Sequence, residues 1–133
     1  LNMLRWHQTV EYADLLQYYQ GLIRLRKKLP GLCDKSANAK ERITDRTVHG
    51  DGIVSFQVDN RPDSEKWSKL TAEEKYERLF IAYNASKEEV SLTLPEGEWV
   101  VLADDQDTDC RKPVKLAKQK VAACSGIILG KID

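Results

Sequence analysis

Asp104, Asp105, Asp107 and Asp109 form the densest set of chemically capable side chains, carboxylates strung along one short stretch. Such a loop can hold Ca²⁺, a hard cation that gathers about six to eight oxygens. However, the run from Asp105 has no mid-loop Gly, and Leu116 stands where an EF-hand closes on Glu. A solvated strand-to-strand loop is the better-supported reading. The two histidines, His7 and His49, have no Ser, Cys or second His at a triad or metal spacing and read as surface or capping residues. Cys33, Cys110 and Cys124 contain no CxxC pair, so neither a zinc site nor a redox motif is supported. Three scattered cysteines fit reduced thiols better than one disulfide, which favours a cytoplasmic setting. Asn84-Ala85-Ser86 matches a glycosylation acceptor, but an Asn ending a strand more often builds the turn itself. Trp6, Trp67 and Trp99 could each stack on a sugar ring. Trp99 lies in an apolar run and reads as core; Trp67, in a polar stretch, is the one candidate for substrate binding. No carboxylates form an evident catalytic pair, and no cofactor motif is present.

Behind these residues the pattern is first helical. Tyr12, Leu15, Leu16, Tyr19, Leu22, Ile23 and Leu29 recur at three- and four-residue steps, predicting a helix over residues 10–29. Pro30-Gly31 supplies its stop, Pro ending the helix and Gly accepting the turn beyond. Val10, Tyr18 and Leu25 widen the apolar surface past one stripe, as in a helix held between two layers. After Pro30 the period becomes two. Val54, Phe56 and Val58 alternate with Ser55 and Gln57, predicting one buried and one wet face. Leu79 to Tyr83 is apolar on both faces, Val90, Leu92 and Leu94 alternate with Ser91 and Thr93, and Trp99 to Leu102 is apolar throughout. Ile127-Ile128-Leu129 closes the series.

Turn chemistry at His49 to Gly52, Asn84 to Ser86 and Pro95 to Gly97 separates these strands. Roughly seven or eight short strands over about a hundred residues favour an antiparallel sandwich or barrel. Residues 60–77 read as a long loop anchored by Trp67 and Leu70, with one helical turn at Thr71, where Thr71 and Glu74 match a capping box. The fold expected is mainly β: a Greek-key-like antiparallel sandwich over 31–133, preceded by a helical segment, 1–30.

At 133 residues there is room for one domain and little more. Lys+Arg and Asp+Glu both number 21, and this zero net charge argues against a nucleic-acid partner. No apolar run spans a bilayer, so no membrane partner is expected, and no leader is evident. The chain starts at Leu1 rather than Met and reads as a piece of a longer product.

Several stretches resemble one family, the bacterial type I pullulanases. Asn2-Met3-Leu4-Arg5-Trp6 is similar to the N-x-[LI]-x-W segment after their eighth barrel strand. Residues 18–27, YYQGLIRLRK, resemble the YYxGLIxLRK signature of their last barrel helix. Residues 79–86, LFIAYNAS, resemble the strand ending in YNAS of their C-terminal sandwich, and 94–99, LPEGEW, its LPxGxW turn. Residues 125–129, SGIIL, are similar to its last strand. The 60–77 and 104–118 regions have no counterpart in that pattern.

The resemblance implies a longer α-amylase-superfamily hydrolase cutting α-1,6-glucosidic links in pullulan, starch or glycogen dextrins. Its (β/α)8 barrel would carry a nucleophile carboxylate, a glutamic acid and a stabilising aspartate, all upstream of Leu1. None of the acidic residues here matches those motifs, so none inherits a catalytic role. The resemblance sets Asn2 and Trp6 near the barrel's substrate face, with structural support at a helix entry as the better-supported role there. The partners implied are the catalytic barrel and, through it, α-glucan; without the barrel, the helix over 10–29 would dock back onto its own sandwich, self-associate or fray. Two other classes stay open: a sugar-binding module working through Trp67, and a protein-docking module marked by an apolar patch on the sandwich away from the helix.

Overall fold

The computed structural model describes residues 3–62 and 64–132. Two helices open the chain, α1 (Gln8–Glu11) and α2 (Ala13–Lys28). The continuous helix expected over 10–29 is broken at Tyr12, whose backbone (φ −114°, ψ 43°) is not helical. No side-chain cap marks this break, so the apolar period runs across it unaltered. At the other end Pro30 acts as expected: Leu29 turns extended and a 3-10 turn, Pro30–Leu32, follows. Gly31 does not use a left-handed backbone, contrary to the expected turn role. It is small because a Cβ there would come 2.9 Å from Val58 Cγ1.

Eight strands follow: β1 (Ile43–Gly50), β2 (Ile53–Asp59), β3 (Tyr76–Asn84), β4 (Val90–Thr93), β5 (Trp99–Ala103), β6 (Thr108–Pro113), β7 (Lys118–Val121) and β8 (Ser125–Ile132). Six form one antiparallel sheet in the order β1-β2-β3-β8-β5-β6, while β4 and β7 pair as a second. The expected mainly-β antiparallel architecture with one long helix is present. The last strand does not lie at a margin; it inserts between β3 and β5 at the centre of the large sheet.

The two faces of that sheet have different covers. Val58, Leu79, Ile81, Val100 and Leu102 pack under Leu25 and Leu29 at the end of α2. Phe80, Ala82, Trp99, Val101, Ile127 and Leu129 pack against Leu92, Leu94 and Val121 of the small sheet and its flank. This double cover explains the apolar runs at β3 and β5. It also corrects the reading of β2 as wet on one side: Ser55 is buried, while Val54, beyond the reach of α2, is exposed. The 60–77 stretch, expected as a loop with one helical turn at Thr71, instead holds a short helix before that point, α3 (Ser64–Lys69). At Thr71 the backbone N–H and the hydroxyl both donate to the Glu74 carboxylate, at 3.0 and 2.9 Å, closing a turn but no helix.

Candidate functional site

Helix α2 presents three different surfaces. Toward the sheet, Gly21 approaches β6 so closely that a Cβ would fall 1.9 Å from Thr108 Oγ1. The Thr108 hydroxyl donates to the Tyr18 carbonyl at 2.7 Å, and the Tyr18 hydroxyl donates to the Asp104 carbonyl at 2.5 Å. On one flank, Arg24 Nε and Lys28 Nζ donate to the Asp109 carboxylate at 3.0 and 2.9 Å. The other flank and the outer surface carry Tyr12, Leu15, Leu16, Tyr19 and Ile23, between 40% and 58% exposed. None of the described residues closes over this stripe. Met3, Leu4, Trp6 and Val10, preceding it, are more exposed still.

A second apolar area lies on the large sheet, on the face that α2 covers only in part. Val48 pairs with Val54 and Val54 with Tyr83, making a row across three strands, all exposed. Phe56 extends the row inward, its ring 6.3 Å from that of Tyr83.

The acidic loop is built from internal bonds. Asp104 Oδ1 accepts the N–H groups of Gln106 and Asp107, and Lys112 Nζ bridges the carboxylates of Asp104 and Asp107. Burial alone would raise the Asp104 carboxyl, but these bonds together hold it below the usual carboxylate range. Among the described residues no group of three His, Cys, Asp or Glu is placed to hold a metal ion.

Trp67 sits half-buried on α3, and the Lys75 ammonium lies 5.9 Å from its ring centre. Trp99 is core, its Nε1 donating to the Pro95 carbonyl at 2.9 Å. Asn2 lies outside the described residues. His7 precedes α1 without a side-chain cap bond, and His49 Nε2 lies 2.7 Å from the buried Ser55 Oγ. The three thiols are unpaired, Cys124 exposed and the others half-buried.

Asn84 is 1% exposed. Its Nδ2 donates to the carbonyls of Glu88, Val121 and Ala122, and its Oδ1 accepts from Ser86 N–H and Oγ. An amide so engaged is a turn-builder inaccessible to glycosylation in the folded chain. Asn60, which the sequence reading did not single out, performs a similar task. Its Oδ1 accepts from Gly31 N–H at 3.0 Å and its Nδ2 donates to the Tyr76 carbonyl at 2.9 Å, fastening the end of α2 to β3.

A helix on one face of an antiparallel sheet, with a small second sheet on the other, defines the class: a helix-backed β-sandwich whose helix has an uncovered apolar side. Solved structures that share the fold of this chain include pullulanases. The pullulanase from Bacillus acidopullulyticus matches with a TM-score of 0.75 at 20% identity, over 98% of this chain and 15% of that one. The pullulanase type I from Bacillus subtilis str. 168, complexed with maltose, matches with a TM-score of 0.75 at 18% identity, over 99% and 17%. The pullulanase from Paenibacillus barengoltzii, in complex with maltohexaose and alpha-cyclodextrin, matches with a TM-score of 0.73 at 21% identity, over 99% and 19%. No protein-family model matches the chain. At these identities the likeness is one of fold, and at that level the resemblance to bacterial type I pullulanases read from the sequence holds. The chain spans less than a fifth of the length of these pullulanases.

Proposed function

We propose that this chain is the non-catalytic C-terminal part of a pullulanase-type, α-1,6-cleaving glycoside hydrolase, and that its sandwich stabilises the catalytic barrel through α2 as a shared wall. The observation that carries this reading is the uncovered stripe Tyr12, Leu15, Leu16, Tyr19 and Ile23 on a helix whose opposite side is already packed. Full burial of a large apolar side chain is worth about 1.5–3 kcal/mol, and these five are about half-covered already. Docking would therefore gain on the order of 5 kcal/mol, a substantial share of a domain's stability of about 5–15 kcal/mol. The exposed row Val48, Val54 and Tyr83 is a second apolar area, on the face of the sheet that α2 covers in part.

If the stripe serves a partner and not this chain's own core, replacing Leu15, Tyr19 and Ile23 by Ser should change the chain's own stability little, by about 0.5 kcal/mol per site. Leu25→Ala, in the packed face, should cost about 2–5 kcal/mol. Urea unfolding measures both, and a stripe variant as damaging as Leu25→Ala would refute the reading. A sugar-binding module acting through Trp67 is the rival; it requires calorimetric affinity for maltotriose that disappears in Trp67→Ala.

A further inference from the structure

The outward side of α2 is symmetric about Tyr19. Leu15, Tyr19 and Ile23 stand four residues apart and form one ridge along the helix, with Leu16 beside it. All four are between 40% and 58% exposed, so the ridge is apolar surface open to contact. Reversing the helix about Tyr19 exchanges Leu15 with Ile23 and returns the same ridge. Such a surface can meet a second copy of itself across a two-fold axis, the commonest symmetry of soluble oligomers.

The charges along the helix select the direction of that meeting. The N-terminal end carries acids, Glu11 on α1 and Asp14 in the first turn of α2, while the last turn carries Arg26, Lys27 and Lys28. Asp109 already holds Lys28, and Arg24 one turn earlier. Glu11, Asp14, Arg26 and Lys27 are exposed and form no ion pair among the described residues. Two free acids at one end and two free cations at the other are matched when two such helices run antiparallel. Parallel helices would set like charges together, and the macrodipoles oppose that arrangement too. The free edge of β1 is a poorer meeting place, because its ladder is broken between Thr44 and Thr47 and again between Val48 and Gly50.

We propose that two copies of this chain pair through α2 in antiparallel register. Tyr19 meets Tyr19 at the two-fold axis, Leu15 of each copy meets Ile23 of the other, and the Glu11 and Asp14 end of each faces the Arg26 and Lys27 end of the other. This pairing rests on the same uncovered stripe from which the docking role of α2 was read, and a larger body seated on α2 would exclude it. A 16-residue helix is about 24 Å long and about 10 Å wide. Such a strip falls well short of the roughly 800 Å² per partner of a standard stable interface, so the pair is weak. It is also closed, since each copy spends its one stripe on the other.

Sedimentation equilibrium and oxidative cross-linking together test this. The mass should level off at two copies, and added salt should weaken the pairing by screening the matched ends. Glu11→Lys with Asp14→Lys should weaken it about tenfold, and adding Arg26→Glu and Lys27→Glu to the same chain should restore it. For cross-linking, Cys124→Ser first removes the exposed thiol. Tyr19→Cys should then give a disulfide dimer alone, whereas Leu15→Cys and Ile23→Cys chains should link to each other in a mixture in preference to themselves. Self-linked Leu15→Cys and Ile23→Cys products in excess of the mixed one would overturn the antiparallel pair, as would pairing strengthened by salt. So would a mass that grows past two copies, which would mean that the stripe of one copy meets a different surface of the next. Those outcomes leave the docking role of α2 standing, whereas a chain monomeric at every concentration would overturn both.

Discussion

Asp109 occupies a left-handed backbone position (φ 53°), which Asp tolerates better than most residues, and from it one carboxylate reaches both Arg24 and Lys28. Burial works to raise its pKa, but the bonds and charges of Lys28 and Arg24 outweigh it and hold the group below the usual carboxylate range. A carboxyl lowered on folding contributes stability that is fully present above its unfolded pKa, about 4, and is lost as pH falls through the lower folded value. Stability measured by urea unfolding should therefore decline below about pH 4, and Asp109→Asn should flatten that decline. Both cationic partners are more than half exposed, so the effect should be about 1 kcal/mol or less. An acid slope unchanged in Asp109→Asn would show that the ion pair contributes nothing. The sequence showed Asp109 only as part of an acidic loop, because its partners lie 85 and 81 residues away. Asn84 was legible as a turn residue since Ser86 and Glu88 are its neighbours; Asn60 was not, because its partners are brought to it by the tertiary fold.

At the level of elements, α2 and its seat on β6 were unequally visible. The helical period predicted α2, and Pro30 its end, since both signals are local. The break at Tyr12 has no local signal. Strand β6, with the sequence TDCRKP, lacks an apolar alternation because it is an edge strand whose Arg111 donates to the Glu73 carbonyl and whose Lys112 pairs with Asp104. The fit of α2 on β6 turns on Gly21. In an isolated helix Gly→Ala would stabilise by about 1 kcal/mol. Here the added methyl would strike Thr108 and break the Thr108–Tyr18 bond, so Gly21→Ala should instead destabilise the chain by about 1–3 kcal/mol. Thermal unfolding gives the sign directly. A stabilised variant would mean that α2 does not sit against β6 as described.

For the whole molecule, strands with two apolar faces announced a sheet covered on both sides, and the sandwich followed from them. What α2's outer stripe packs against could not be read from composition or period, because the pattern states that a face is apolar and not what covers it. The matched pullulanases are more than five times as long as this chain. Without a cover, exposed apolar surface of this extent is expected to drive self-association. Light scattering behind size-exclusion chromatography, run across a wide range of loading concentrations, tests that most directly. The mass should rise above the 15.2 kDa of one chain with concentration, and return to it when Leu15, Tyr19 and Ile23 are replaced by Ser. A strict monomer at every concentration, with α2 ordered and its stripe in water, would contradict the assignment of that helix as a wall shared with a larger body.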